Sequence, residues 1–598
     1  MIRKLIRQML AAQILSALTV SLCLLIDSIM IGRFLGVDAI AAYGLANPLL
    51  LVIGAVGTML SAGVQVACSR SLGKGSREET DIGFSSAIGI AVIVSGAFLI
   101  LALLLRDPLA TLMGAGNNGE LFEDTRDYIA GFSIGAPGSM GALILVPFLQ
   151  MAGESGLLVA AVLTMTLADV GLDLLNVLVF HGGMFGMGLA SSLSYYAALL
   201  VGGAYFFRKK CVFSFSLSRI RKDKIRELLV SGVPSVFTMA STVVLTFVLN
   251  RLLLGAGGSA AVAAYSVIAT IGNSANCIST GVGGVSLTVS GILANEEDRT
   301  GLKEMLGCMA RWAWGLGTAM MLLLLVLAPV FVSLFIPEAG PSREMSILGT
   351  RLFALGLAPC CFINVLKNAY QGIGRVHLTE CLSVVEGAVL PSLAAWALSV
   401  PFGVTGIWFF SVTAEVLTLL GLCLLIRKKK GDFRPDAEHF LLLPETFGVP
   451  EKDLLESPIT SLEDVNRVSE EARQFCRAHG NTPLMSNRIA LCVEEMGNNT
   501  VRYGFADRED RHLSVRLQHK DGRWILRFRD DCRAFDPVRY ATEGAVKDGI
   551  GIRLVRGVAD EVRYTYSMNL NNLMILLRDE DRDTAASKDI PKKVADPA

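Results

Sequence analysis

Twelve apolar runs follow one another from Met1 to about Ile426, and no soluble globule can bury that many segments of this length at once. A bilayer core calls for roughly 20 mostly apolar residues of helix per crossing. Lipid offers a continuous backbone no hydrogen bonds, so the runs are expected to be helices. They read as Ile6–Phe34, Ala41–Val66, Ile82–Leu105, Tyr128–Met151, Leu157–Phe180, Met184–Phe207, Ile225–Leu254, Ala260–Leu293, Met305–Phe335, Leu348–Tyr370, Leu378–Val400 and Phe402–Ile426. The chain as a whole is 52% hydrophobic over 598 residues with 59 glycines, but that average conceals a polar segment after residue 430.

Basic residues orient the bundle. Arg3, Lys4 and Arg7, then Arg70, Lys74 and Arg77, then Arg208 through Arg226, Arg299 and Lys303, Arg375, and Arg427 through Lys430 fall on every second connection. Such loops face the cytoplasm, which predicts that both termini and the C-terminal domain lie inside a cell membrane. The N-terminal run is too long for a cleavable signal and reads as the first span. Zero net charge averages two different environments, and no basic stripe of the kind that binds nucleic acid stands out. Twelve cysteines and six histidines form no metal-ligand spacing, so reduced buried thiols are expected.

An internal repeat divides the membrane body into halves of about 1–220 and 221–430. Ile31 through Tyr43 after the first run are echoed by Leu253 through Tyr265 after the seventh, and Gln150-Met151-Ala152-Gly153 by Gln371-Gly372-Ile373-Gly374. Six spans separate the copies, so the halves share one orientation and a substrate cavity is expected between them.

Acids at membrane depth are costly and tend to mark ion or substrate paths. Asp169 and Asp173 stand one turn apart on one helix face, and Asp27 lies near the outer end of the first run. Two neighbouring carboxylates cannot both ionise cheaply, so such a pair shares a proton or holds a cation. The plainer alternative is that Asp27 bonds backbone and Asp173 braces a helix. Glu386 and Glu415 are second-half candidates.

Ile26 through Gly36, Ser69 through Gly75 and Gln371 through Arg375 resemble, in order, motifs of the MATE (multidrug and toxic compound extrusion) transporters. The resemblance covers about residues 1–430. It implies ion-coupling roles for Asp27 and Asp173; Asp169 departs from the Asn usual there, which leaves proton and sodium open as the ion. Ser191, where Thr is common, extends the same polar network.

After a proline-rich stretch, 431–457, that reads as a linker, residues 458–578 carry a soluble α/β pattern. The expected order is helix Leu462–Ala478, helix Leu484–Tyr503, strand Leu513–Gln518, an Asp521-Gly522 hairpin turn, strand Trp524–Asp530, helix Ile550–Val558, and strands near Arg563–Tyr566 and Leu573–Leu577, forming a mixed sheet with helices over one face. Residues 579–598 are charged and rich in small side chains, the composition of a disordered tail. Glu495 and Asn499, at i and i+4, suit a Mg²⁺ bridged to phosphates, with Glu495 free to activate a nucleophile. Asp530 is placed to accept from an exocyclic amine, and Gly549 and Gly551 allow phosphate to approach a helix N-terminus.

Together these resemble the GHKL ATPase fold shared by histidine kinases and anti-sigma-factor serine kinases, which implies an ATP and Mg²⁺ site. Cys532 and Ala534 replace two glycines usual in the adenine box, and Tyr503 replaces the usual His. The expectation is therefore a polytopic α-helical membrane protein of 12 spans in two six-helix repeats with a cytoplasmic α/β sandwich domain of the GHKL type. It would act as a proton- or sodium-coupled antiporter exporting amphipathic or cationic small molecules, with an ATP-binding regulatory domain. The alternatives are a membrane-tethered serine/threonine kinase or anti-sigma-like protein with a soluble regulatory partner, and a lipid-linked substrate flippase, ranked last because few Lys or Arg lie in the spans.

Overall fold

A computed structural model describes residues 2–35, 37–74, 76–113, 115, 119–207, 213–336, 339–432, 434, 436–444, 447–507, 511–543 and 550–579. The chain divides into a helical body, Ile2–Gly73 with Glu78–Pro444, and a second unit that holds the C-terminal domain.

In the first half of the body, α1 (Ile2–Met30) runs into a π-helical turn, Ile31–Leu35, followed by α2 (Val37–Gly73), α3 (Arg77–Leu104), α4 (Arg106–Leu112), α5 (Glu120–Ser133), α6 (Ala136–Ala152), α7 (Ser155–Leu175) and α8 (Gly183–Gly203). The second half has α9 (Lys222–Asn295), α10 (Arg299–Phe335), α11 (Pro341–Ala354), α12 (Leu357–Ile373), α13 (Val376–Val384), α14 (Leu390–Ile407) and α15 (Phe410–Lys430). Among the described residues nine helical segments are long and apolar enough to cross a membrane, or eleven if each of two bent pairs is one span.

The bent pairs carry the repeat. α5–α6 and α11–α12 each turn by 47°, at Gly135-Ala136-Pro137 and at Gly356-Leu357-Ala358-Pro359, where proline has no N–H to continue the preceding helix. Each pair ends alike. Gly153 and Gly374 sit at φ 78° and 92°, and the next residues, Glu154 and Arg375, reach back to Leu149 and Tyr370 carbonyls at 2.9 and 2.8 Å. The Gln-x-x-Gly echo is thus a helix-ending motif that wants a left-handed residue. α9 is broken at Gly258 (φ 65°, ψ −159°), a conformation open to glycine at little cost, which separates the seventh and eighth runs.

The stretch read as linker is not featureless. α16 (Ala437–Leu441) and the residues after it are docked on the second half, with Leu441, Leu442 and Leu443 only 0–4% exposed. Glu438 pairs with Lys303 and, at 3.4 Å, with Arg299. Tyr370 Oη donates to the Phe440 carbonyl at 2.5 Å, Lys430 Nζ to that of Leu443 at 2.7 Å, and Arg375 to that of Leu442.

The C-terminal domain begins with β1 (Leu454–Ile459), also inside that stretch, then α17 (Leu462–Ala478), α18 (Pro483–Asn499), β2 (Leu513–Lys520), β3 (Arg523–Asp530), α19 (Pro537–Glu543), α20 (Ile550–Val558), β4 (Glu561–Ser567) and β5 (Leu570–Arg578). The sheet order is β1-β2-β3-β5-β4, and every pairing is antiparallel, which corrects the expected mixed sheet. The physical reason is two tight hairpins. Asp521 and Gly522 (φ 51° and 70°), and Met568 and Asn569 (φ 54° and 60°), supply the paired positive φ of type I′ turns. The helices cover a core that includes Val465, Ile489, Val493, Trp524, Leu526 and Ile575. The described cysteines are free. The tail reading lies outside the described residues beyond Asp579.

Candidate functional sites

The structure brings the four first-half residues together. Asp27 on α1, Asp169 and Asp173 on α7 and Ser191 on α8 are 5%, 2%, 0% and 6% exposed. Ser191 Oγ donates to Asp27 Oδ2 at 3.4 Å, and Asp169 and Asp173 are the charged groups that act on the Asp27 carboxyl. Asp27 Oδ1, Asp169 Oδ1 and both Asp173 oxygens have no donor. Buried carboxylate oxygens without donors are costly to keep ionised.

A cavity of about 700 Å³ lies between the halves, and its described lining contains none of these three acids. Its wall includes Thr58, Ser61 and Gln65 from the first half and Tyr265, Phe353, Phe410, Asn364 and Asn368 from the second. Its charged side chains, among the described residues, are Lys367, Glu386 and Glu415. Lys367 Nζ is 2.6 Å from Glu386 Oε2. Cys360, Glu386 and Glu415 present atoms all within 4.8 Å of one another, while Glu415 Oε2, in a side chain only 6% exposed, has no donor. Sequence reasoning passed over Lys367; the signal was a lone lysine within the apolar run Leu357–Tyr370. Gln65 bridges the halves: its Nε2 donates to the Gly284 carbonyl at 2.9 Å and to Thr288.

In the C-terminal domain the two adjacent glutamates diverge. Glu494 accepts from Ser469 Oγ at 2.7 Å on α17, whereas a Cβ on Gly551 would collide with Glu495 Oε2. Glycine at 551 therefore brings the start of α20 against the α18 carboxylate. Asn499 is the last residue of α18, before a π-helical turn, Thr500–Gly504. That turn reaches the loop after β3, since a Cβ on Gly504 would lie 2.8 Å from Cys532 Sγ. Asp530, 7% exposed, accepts through Oδ1 from Asn571 Nδ2 at 2.7 Å and from the Cys532 N–H at 3.0 Å. Burial lifts its carboxyl above the ordinary value of 3.8, against the pull of those donors. Asn571, which the sequence did not reveal, also donates to the Arg533 carbonyl at 3.1 Å and accepts from the Phe535 N–H at 3.2 Å. It fixes the loop that carries Cys532 and Ala534. A buried acceptor and a glycine contact that any side chain would fill fit an adenine and phosphate site. Gly549 lies outside the described residues.

Two bent-pair halves around a cavity, joined to an antiparallel sheet domain in which a glycine meets an acid, are the frame of a membrane transporter with an appended ATPase-like domain. The MatE family profile matches residues 12–175 and 234–391, and the histidine kinase-like ATPase domain profile matches 460–576. The chain belongs to the MatE family and carries a C-terminal histidine kinase-like ATPase domain. It is 22% identical over 396 residues to the multidrug export protein MepA of Staphylococcus saprophyticus, covering 65% of this chain and 85% of that protein. A Staphylococcus aureus MepA is 22% identical over 395 residues, with the same coverage. Among solved structures it is similar to an outward-facing multidrug resistance MATE family transporter of the MOP superfamily, at TM-score 0.65 and 21% identity over 70% of this chain and 94% of that one. A MOP superfamily transporter from Pyrococcus furiosus whose binding pocket has reversed polarity gives TM-score 0.64 at 21% identity, over 70% of this chain and 94% of that one.

Proposed function

We propose that this chain is an ion-coupled antiporter that exports amphipathic or cationic small molecules by alternating access, with its C-terminal domain an ATP-binding regulator on the cytoplasmic side. The observation that carries this reading is the 700 Å³ cavity between two repeated halves, a size that suits drug-like ligands. Aromatic side chains and carboxylates on one wall suit a cationic amphipath. The first-half acids supply the coupling site: three neighbouring buried carboxylates need a proton or a metal cation to balance their charge. MepA, a multidrug export protein, supports the substrate class. The coupling ion is a proton or sodium.

The spans number twelve in this reading, counting each bent pair once and adding α1, and the basic connections set both termini inside the cell membrane. In the C-terminal domain Asn499 would hold Mg²⁺, Asp530 the adenine amine, and Gly549 and Gly551 the phosphates, with Glu495 beside them as general base for any phosphotransfer. ATP supplies charge and binding energy there rather than the driving force. That domain occurs once, and the chain lacks the Gly-rich Lys-Ser/Thr loop of ATP-driven pumps.

The test is transport by the purified full chain in proteoliposomes with an imposed proton or sodium gradient and no nucleotide. A cationic dye is expected to move against its own gradient and to stop when an ionophore collapses the ion gradient. Folded protein that moves no cationic dye under either gradient would overturn the reading.

A further inference from the structure

The charges on the cavity wall set a limit on what the cavity can hold. With Lys367, Glu386 and Glu415 all ionised, the described wall carries one net negative charge. Lys367 is committed to Glu386 at 2.6 Å, and both side chains are 8% exposed. Glu415 Oε2 is buried without a donor and belongs to the cavity lining. Aromatic side chains of Tyr265, Phe353 and Phe410 line the same cavity.

We propose that Lys367 is a built-in counterion that sets the charge number of the substrate: it neutralises Glu386 and leaves Glu415 to receive one positive charge, so the cavity selects monocations over dications. In a desolvated site an unmatched charge is costly in either sense. A dication would leave one positive charge uncompensated beside the Lys367 ammonium. Removing that ammonium leaves Glu386 and Glu415, whose carboxyl oxygens lie within 4.8 Å of each other, as a pair that a dication can hold doubly ionised and a monocation only with a shared proton, which turns the same cavity toward dications. Because the effect follows the summed wall charge, neutralising Lys367 and Glu386 together restores the original preference. This inference rests on the cavity being the substrate site of the exporter proposed above.

Ethidium and propidium test it, since they share a phenanthridinium ring and carry one and two positive charges. Their affinities for the detergent-solubilised full chain, read by dye fluorescence, give a ratio that needs no transport. The wild-type chain is expected to prefer ethidium. Lys367→Met should shift the ratio toward propidium by about tenfold or more, Lys367→Arg should leave it unchanged, and Lys367→Met with Glu386→Gln should return it to the wild-type value. Glu415→Gln should weaken both dyes. The double variant guards against misfolding of Lys367→Met, because it removes the buried charge that Glu386 would carry without its lysine. A ratio unmoved in Lys367→Met, moved equally in Lys367→Arg, or not restored in the double variant overturns the proposal, as does wild-type protein that binds neither dye. Dye binding with the expected ratios but no gradient-driven transport would keep the inference and remove the exporter reading.

Discussion

Asp530 sets stability against the binding role proposed for it. Its folded-state value is raised, so its contribution to stability is fully present below the ordinary carboxylate value and is lost as the pH rises through the folded one. Where it is ionised, the buried charge is a cost to the fold. Asp530→Asn keeps an Oδ1 for the Asn571 and Cys532 donors while removing the charge. The domain's thermal transition at pH 7 should be no lower than wild type and should vary less from about pH 4 upward. Nucleotide binding, measured on the same protein by calorimetry, should fall about tenfold or more, because an amide cannot match a carboxylate toward an amine. A lower transition with unchanged binding would contradict this. In the membrane body, Asp27→Asn and Asp173→Asn should abolish gradient-driven dye efflux at normal expression, and Asp169→Asn should keep efflux with an altered pH or sodium dependence. Full efflux in the first two would remove their coupling role. Asp27, Asp169, Asp173 and Ser191 were legible because polar side chains in apolar helices stand out one by one. Lys367, a lone lysine in an apolar run, stood out in the same way, and only its pairing with Glu386 waits for the fold. Asn571 was not legible: it matters through a loop 36 residues away, a contact that exists only after folding.

At the scale of elements, local signals were read most easily. α17 has the bounds expected from periodicity; Ser461, which accepts from the Asp464 N–H at 3.2 Å, and Thr482-Pro483 start their helices in the manner of N-caps. The Asp521-Gly522 hairpin forms where two residues of positive φ are affordable. The docked segment Asp436–Pro444 was missed because three leucines have no period, and the prolines at 435, 444 and 450 spoke for a loose linker. It joins the second half to whatever follows, and its ion pairs place it under charge control. Hydrogen bonding from Lys303, with Arg299 nearby, holds Glu438 below its ordinary value of 4.5. That pairing contributes above the ordinary value and is lost as the pH falls through the lowered one. Reversing the charges with Lys303→Glu and Arg299→Glu should release the segment. Hydrogen exchange on the full chain would then show faster exchange over Phe440–Leu443 by about tenfold or more, with α17 unchanged. Unchanged exchange in the segment would mean that its buried leucines alone hold it.

For the molecule as a whole, the repeat was legible as two echoes in sequence and emerges as two 47° bends with matching helix ends. The cavity's composition was not legible, since it is assembled from residues as distant as Thr58 and Glu415. The ATPase-like domain follows the docked segment directly in the chain, so nucleotide occupancy can bias transport only if the transporter's states bind nucleotide differently. Binding and chemistry should separate there: Asn499→Ala should abolish Mg²⁺-ATP binding, and Glu495→Ala should spare it while removing any phosphotransfer. The most direct test of the account is gradient-driven efflux by the full chain in vesicles, with and without ATP on the side of the C-terminal domain, and with Asn499→Ala as control. The account predicts efflux without ATP, a changed rate with it, and no change in Asn499→Ala. Efflux that requires ATP would contradict the ion-gradient source, and a rate indifferent to ATP in the wild-type chain would contradict regulation by the domain.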